Sequence, residues 1–139
     1  MLLEKLAPKK LCTVSGESLN QEILYDYIDS DPVVPIKITA SHSSKKYLAF
    51  LDTGSDGIAI PRELWEKHEL SHHYPVRIQS VTGLSWSYID TIKIEIFGDR
   101  HEVPAVMSDD PEILIGMEIL KNYIVCFDGI KKRVAVRKR

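Results

Sequence analysis

The sequence lacks a long apolar run, a strong net charge and more than two cysteines. No apolar run approaches the roughly 20 residues that a membrane-spanning helix needs, and the start, MLLEKLAPKK, lacks the continuous apolar region of a signal peptide. The net charge of −2 argues neither for nor against a polyanionic partner. Cys126 lies in the apolar run YIVCF, so we expect Cys12 and Cys126 to be reduced thiols rather than a pair. These absences predict a cytoplasmic protein without a membrane partner.

The composition is otherwise that of an ordinary globular protein. Hydrophobic residues make up 44% and charged residues 27% of the 139 residues, and this length gives one domain with its own core. The Asp31–Pro32 step breaks the chain, which we divide into an N-terminal extension, residues 1–31, and a domain, residues 32–139.

In the extension, SLNQEILYDYI (18–28) has a capping box and helical spacing, so we predict a helix. Ile23, Tyr25 and Tyr27 also alternate as in a strand, which leaves that alternative open.

The stretch from Tyr47 to Pro61, YLAFLDTGSDGIAIP, is the part of the chain most typical of a functional site. Two short apolar runs flank a polar turn, a pattern that predicts two buried strands joined at Asp52. A charged carboxylate in such a place needs hydrogen-bond donors, and the neighbouring hydroxyls and backbone N–H groups can supply them. Gly54 gives the turn backbone freedom. We therefore predict that Asp52 takes part in chemistry.

This stretch resembles the active-site loop of retroviral-type (retropepsin-like) aspartic proteases, with their signature of two hydrophobic residues followed by Asp-Thr-Gly-Ala/Ser. A second stretch, ILIGMEIL (113–120), resembles the second signature of that family: aliphatic residues, a glycine and a short helix. The two fall in family order between about Pro32 and Val136. The resemblance implies an all-β fold, the closed-barrel-like retropepsin (acid protease) fold, with one or two short helices.

The resemblance also implies a homodimeric aspartic endopeptidase that needs no metal or cofactor. Aspartic proteolysis uses two carboxylates that share one proton, and this chain has one Asp-Thr-Gly, so a two-fold homodimer would supply the second Asp52. The alternative is a non-catalytic dimer that binds a peptide or partner protein. The implied site comprises catalytic Asp52, supporting Thr53, Gly54 and Ser55, substrate-binding Gly54, Asp56, Val81, Thr82 and Gly83, and the second motif, Ile115 and Gly116.

Further details of that site come from the same resemblance. The segment VRIQSV-TGLS-WSYIDTIKIEIFG (76–98) reads as a long hairpin and resembles the flap that closes over bound peptide. Thr53 corresponds to a threonine that hydrogen-bonds across the dimer axis, and Ser55 could donate to the carboxylates and favour acidic operation. Met117 stands where retroviral members commonly have an arginine, which leaves Asp56 without its usual partner.

A second motif suggests different chemistry. His68-Glu69-Leu70-Ser71-His72 formally matches the zinc peptidase pattern H-E-x-x-H. That chemistry needs both histidines on one helical face and a third ligand, but the predicted helix is only about two turns long and strands follow it. We therefore interpret the match as accidental and predict no metal site.

The tail KKRVAVRKR (131–139) holds six of the eighteen basic residues. Such a segment can bind nucleic acid, but Val134 and Val136 alternate with charged or small residues. We therefore predict a terminal strand with one solvated face and do not expect a nucleic acid partner.

Overall fold

The computed structural model describes residues 21–40 and 43–138, and these form ten strands and two short helices. The strands are β1 Gln21–Asp26, β2 Val33–Ala40, β3 Ser43–Leu51, β4 Ile58–Pro61, β5 Pro75–Ser80, β6 Gly83–Ile96, β7 Asp99–Ser108, β8 Ile113–Ile115, β9 Ile124–Asp128 and β10 Arg133–Lys138. The helices are α1 Arg62–Lys67 and α2 Met117–Leu120. The predicted all-β class with one or two short helices is confirmed.

Six of the strands close into a barrel. Their order is β2-β3-β8-β4-β7-β6, and β6 pairs back with β2 to complete the ring. β5 extends the sheet beyond β6 as the outer arm of a hairpin. β3 and β8 run parallel to each other, and so do β4 and β7. This closure removes the exposed sheet edges of the barrel strands, and the closed-barrel prediction is confirmed.

Alternation along the strands fills the barrel with aliphatic side chains. On β6, Ile92, Ile94 and Ile96 are at most 3% exposed, whereas Lys93 on the other face is exposed. This period of two places every second side chain in the core, as the sequence pattern predicts. Trp65, on α1, is fully buried and covers one side of this core.

The N-terminal part of the described chain is a strand, so the predicted helix is wrong. β1 pairs with β10, which in turn pairs with β9, in a three-stranded sheet. Ile23 and Tyr25 pack against the core, whereas Leu24 is 52% exposed. The alternating pattern prevails over the helical one because β10, more than 100 residues later, provides a pairing edge. The capping box at Ser18 lies outside the described residues.

The C-terminal tail and Cys126 complete this terminal sheet. Val134 and Val136 on β10 are fully buried, which confirms the predicted terminal strand.

Cys126, on β9, is disulfide-bonded, so the expectation of a reduced thiol is wrong there, and Cys12 lies outside the described residues. The prediction of a cytoplasmic location therefore loses one of its arguments and stays a prediction.

Two further sequence predictions concern the chain as a whole. The division at residue 31 stays a prediction, although β1 lies before that boundary and pairs with β10 after it. Within residues 21–40 and 43–138, none of the helices is long and apolar enough to cross a membrane.

Candidate active site

Asp52 lies in the turn that joins β3 to β4. Its backbone N–H donates to the carbonyl of Ile115 on β8 at 2.9 Å, so the turn begins where the β3–β8 pairing ends. The carboxylate accepts a hydrogen bond from the backbone N–H of Gly54 at 2.9 Å. The N–H of Ser55 donates to the Asp52 carbonyl at 3.2 Å. The turn therefore holds one carboxylate in a fixed, half-buried position at the end of a core strand.

The second motif holds this turn from the other side. The N–H of Met117 donates to the carbonyl of Ser55, and the N–H of Glu118 donates to that of Asp56, both at 2.8 Å. Between them, Gly116 is buried, and a side chain there would collide with the carbonyl oxygens of Ser55 and Gly57. The structure thus brings the two sequence motifs together, with Ile115 and Gly116 packed against the Asp52 turn.

The other predicted residues of the turn differ in their surroundings. Thr53 is exposed, and no side-chain hydrogen bond is found for it within the described chain. The hydroxyl of Ser55 donates to the carbonyl of Gly57 at 3.2 Å, not to the carboxylate of the same chain. Asp56 is exposed and forms no ion pair with a described residue, as the methionine at position 117 predicts.

A row of half-buried apolar residues crosses the barrel sheet on the same side as Asp52. Paired residues on neighbouring strands point to the same side of a sheet. The registered pairs that form the row are Phe50–Leu114, Leu114–Ala59, Ala59–Val106 and Val106–Ile89. All five side chains are half-buried, whereas their strand neighbours Leu51 and Ile58 are buried in the core. Side chains alternate along a strand, so Asp52 lies on the same side as Phe50. We call these five half-buried residues the cleft row.

Sequence reasoning missed the cleft row. Each of its strands reads as a short apolar run, and such a run does not show which face meets the core. Only the strand register, between segments up to 64 residues apart in the chain (Phe50 and Leu114), distinguishes the two faces.

The predicted flap is a hairpin formed by β5 and the first part of β6. Ser80 pairs with Gly83, so the turn has two central residues, Val81 and Thr82, and is shorter than the four-residue turn that TGLS (82–85) predicts. Gly83 has a φ of +119°, a conformation that favours glycine. Leu84 and Trp86 are 62% and 71% exposed on one face of the hairpin. In the described part of the chain, no hydrogen bond or ion pair joins the hairpin turn to the Asp52 turn.

The segment that matches H-E-x-x-H does not have zinc-site geometry. α1 ends at Lys67, and Glu69 has a φ of +54°, so the two histidines do not share a helical face. His68 Nε2 contacts the Tyr47 hydroxyl at 2.8 Å, and His72 Nε2 contacts Glu66 Oε1 at 2.8 Å. Burial, together with nearby lysines, lowers the pKa of His68. Among residues 21–40 and 43–138, no group of three metal-ligating side chains is placed to hold an ion.

Two surface depressions lie away from Asp52. The larger, about 510 Å³, is lined by the outward side chains of β2, β6 and β7, including Lys37, Glu95 and Arg100. The smaller, about 280 Å³, lies next to it. Neither contains a residue of the Asp52 turn or of the cleft row. We therefore base the candidate site on the hydrogen-bonded motifs and not on these depressions.

Comparisons with known proteins agree with the two motifs. The sequence model of the retroviral aspartyl protease family matches residues 28–126. The solved structure of a retropepsin-like aspartic protease from Rickettsia conorii is similar, with a TM-score of 0.62 and 17% identity over 90% of this chain and 98% of that one. The protease of EIAV, solved in complex with the inhibitor HBY-793, has a TM-score of 0.58 and 19% identity over 68% and 88% of the two chains. A comparison with curated protein sequences gave no significant match.

Proposed function

Since the chain belongs to the retroviral aspartyl protease family, we propose that it is a homodimeric aspartic endopeptidase in which each subunit contributes one Asp52. The observation that carries this proposal is the fixed Asp52 carboxylate, held by Gly54 and by the two motifs, with one copy in each chain. A two-fold dimer provides the second carboxylate. The exposed Thr53 supports the same arrangement, because no residue of 21–40 and 43–138 forms a hydrogen bond with its hydroxyl, which could therefore meet the other subunit.

The proposed reaction is hydrolysis of a peptide bond by an activated water. Two carboxylates close together share one proton. The charged Asp52 takes a proton from the water, whose oxygen attacks the scissile carbonyl carbon, while the protonated Asp52 of the other subunit donates its proton to the carbonyl oxygen. The resulting diol then loses a proton from oxygen as the leaving nitrogen gains one, and the C–N bond breaks. The dyad returns to its starting state with one proton.

The remaining predicted residues have roles around this reaction. We assign the backbone of Gly54 and the side chain of Asp56 to substrate binding, because both are exposed beside the carboxylate. The hairpin turn at Val81, Thr82 and Gly83 would cover the bound peptide. The hydroxyl of Ser55, which donates to Gly57 in the single chain, would stiffen the turn.

Replacing Asp52 with asparagine tests the proposal. Asparagine keeps the shape of the side chain and can still accept from the Gly54 N–H, but it cannot act as a base. We expect the rate of cleavage of a peptide library to fall by about a thousandfold or more, with the melting temperature little changed. Asp110→Asn is the matched control, because Asp110 is exposed on the loop before β8, and its activity should equal that of the wild type.

Two results would contradict the proposal. Equal cleavage by wild type and Asp52→Asn would remove Asp52 from the chemistry. A folded wild type that binds peptides but cleaves none of the library, at any pH from acid to neutral, would instead favour the non-catalytic dimer.

A further inference from the structure

Two pairs of lysines face each other near the start of β3, at the end of the strand away from Asp52. Lys46 on β3 lies directly opposite Lys37 on β2. The side chains of Lys45 and Lys67 are in contact, and this contact lowers the pKa of Lys45. Like charges that face each other across two strands destabilise a sheet. These positions are therefore unfavourable in the isolated chain and become favourable when an anion lies between the charges.

No acid in the described part of the chain is paired with these lysines. Within residues 21–40 and 43–138, none of the four forms an ion pair. Lys37 is half-buried, and the other three are exposed. Glu95 lies opposite Lys37 on β6, but its ion pair is with Arg100, at 3.8 Å. The charge of the four lysines is therefore available to a ligand.

The lysines belong to a wider surface on the outside of the barrel. The charged side chains that point outward from β3, β2, β6 and β7 are Lys46, Lys37, Lys93, Glu95, Arg100 and Glu102. We call these residues, together with Lys45 and Lys67, the basic face. It has six basic and two acidic side chains in a chain whose net charge is −2. The depression of about 510 Å³ lies on this face, and Thr39 and Ser44 add hydroxyl groups to its lining.

The basic face is continuous with the side of β3 that carries Asp52. Side chains alternate along a strand, so Phe50, Leu48 and Lys46 lie on the same side of β3, and Leu48 is 53% exposed. The strand from Asp52 back to Lys46 is about 20 Å long at about 3.3 Å per residue. A polypeptide bound at Asp52 therefore needs about six extended residues to reach Lys46.

We infer that the basic face is an exosite, a surface outside the active site that binds an acidic segment of the protein substrate. This inference rests on the proposed function, since it names the class of protein that the Asp52 site receives. An acidic polypeptide suits the face better than nucleic acid does, because its N–H groups can donate to Glu95 and Glu102, which repel phosphates. The described residues that line the depression also include no Phe, Tyr or Trp on which a base could stack.

The first experiment compares two peptides that share one cleavable sequence. A flexible linker of about twelve residues, with an average span of about 20 Å, joins that sequence to about six glutamates in one peptide and to glutamines in the other. Binding of the glutamates holds the cleavable sequence near Asp52 without changing the chemical step. We therefore expect the glutamates to lower KM at least about fivefold at low salt and to leave kcat unchanged. The difference should vanish at about 0.5 M salt, which screens exposed charges.

A double variant tests the lysines. Lys45→Gln with Lys46→Gln removes one charge from each facing pair, at exposed positions without an ion pair in the described chain, so it should fold. Lys131→Gln with Lys132→Gln is the matched control, because both lysines are exposed in the connection between β9 and β10. The first variant should reduce the KM difference to less than about twofold, and the control should keep it. Melting curves identify any variant that fails to fold, and Lys67→Gln, on α1, then replaces the double variant.

A binding measurement separates this inference from the proposed function. The probe is a labelled peptide of about eight glutamates, whose binding is followed by fluorescence anisotropy at low salt. Wild type and Asp52→Asn should bind it equally, because Asp52 does not contact the tract. The Lys45 and Lys46 double variant should bind it at least about fivefold more weakly. Single-stranded DNA of the same length should bind more weakly than the peptide.

The two measurements separate the possible results. Cleavage by the wild type with equal KM for the two peptides would overturn the exosite and leave the proposed function standing. Binding of the glutamate probe that depends on Lys45 and Lys46, without cleavage of either peptide, would support the site for an acidic segment and overturn the enzyme. Wild type that neither cleaves nor binds would overturn both. DNA binding as tight as that of the peptide, or an equal loss of the KM difference in the control variant, would overturn the acidic segment as the occupant.

Discussion

Gly116 is the residue at which the two motifs of the candidate site come closest. A β-carbon there would collide with the carbonyls of Ser55 and Gly57, which are backbone atoms and cannot rotate away. Because overpacking against a fixed backbone forces the neighbouring segments apart, we expect Gly116→Ala to lower the free energy of unfolding by about 3 kcal/mol. It should also reduce activity, since the hydrogen bonds from Met117 and Glu118 depend on the same approach. Denaturant unfolding and peptide cleavage measure the two effects.

The chain offers a matched control for this substitution. Gly129, in the connection between β9 and β10, has no atom within 4 Å of an added β-carbon and no positive φ. Gly129→Ala should be neutral or stabilising by up to about 1 kcal/mol, because alanine restricts the unfolded chain. Equal stability of Gly116→Ala and Gly129→Ala would show that the close approach of the motifs is not maintained in solution.

At the scale of single residues, the sequence predicts what a local signature encodes. Asp52 and Gly116 each lie in a short segment that resembles a family signature, so their positions next to each other in the fold were predictable. Ala59 is different, because its position beside Asp52 depends on pairing with Leu114 and Val106, which are 55 and 47 residues away. Cys126 could not be predicted either, because an apolar neighbourhood does not determine whether a thiol is bonded.

The turn between β6 and β7 is joined to the terminal sheet by a polar network. The hydroxyl of Tyr123 donates to Asp99 at 2.6 Å, and Lys138 Nζ donates to the same carboxylate at 3.1 Å. The hydrogen bond from Tyr123, with smaller effects of Lys138 and His101, lowers the pKa of Asp99. Burial, followed by the contact with Asp99, raises the pKa of Tyr123. The network therefore stabilises the pair in the form with a charged Asp99 and a neutral Tyr123.

We expect the loss of stability in Tyr123→Phe to depend on pH. Because the pKa of Asp99 is lowered in the folded state, its contribution is present above the ordinary value near 3.9 and is lost as the pH falls through the lowered value. We expect the variant to be about 1 kcal/mol less stable than the wild type at pH 6, with a smaller difference below about pH 4. Urea unfolding at several pH values measures both.

Tyr27→Phe is the control for that experiment. Tyr27 is half-buried and packs against the core, but no hydrogen bond of its hydroxyl is found in the described chain. Its substitution should change stability little and by the same amount at each pH. A stability loss in Tyr123→Phe that is the same at pH 3.5 and pH 6 would contradict the role of Asp99.

At the scale of elements, the strength of the local pattern decides which predictions succeed. The segment VVPIKITA predicts a strand over 33–40, since an aliphatic alternation and flanking polar residues define it, and β2 has these bounds. β1 was predicted as a helix because its two periodicities are equally strong, and only pairing with β10 decides between them. The residues Gly98-Asp99-Arg100 predict a turn, but the β6–β7 turn is at Phe97 and Gly98, both with positive φ, one to two residues earlier. A two-residue turn of this kind requires positive φ at both positions, and phenylalanine gives no signal for it.

At the scale of the molecule, the barrel accounts for the part of the proposed site that one chain contributes. Its closure aligns the two motifs and places one half-buried carboxylate per chain at the end of β3. The sequence predicts this half because both motifs and their order are local features. It does not predict the partner surface, because the residues that two copies would bury are ordinary surface residues of one copy.

Mixing wild type with Asp52→Asn under conditions of subunit exchange tests whether the site is shared. A heterodimer holds one carboxylate, which cannot be base and acid together, so it should be inactive. With random pairing, one equivalent of mutant leaves about a quarter of all dimers wild type on both sides. Since the number of dimers has doubled, activity per wild-type chain should fall to about half, and more mutant should lower it further.

Labelled subunits and energy transfer between them establish that exchange has occurred. Asp110→Asn added in the same amounts controls for dilution and should not lower activity per wild-type chain, because its heterodimers keep both Asp52 side chains. If activity per wild-type chain stays constant despite proven exchange with Asp52→Asn, each chain acts alone and the shared dyad is wrong.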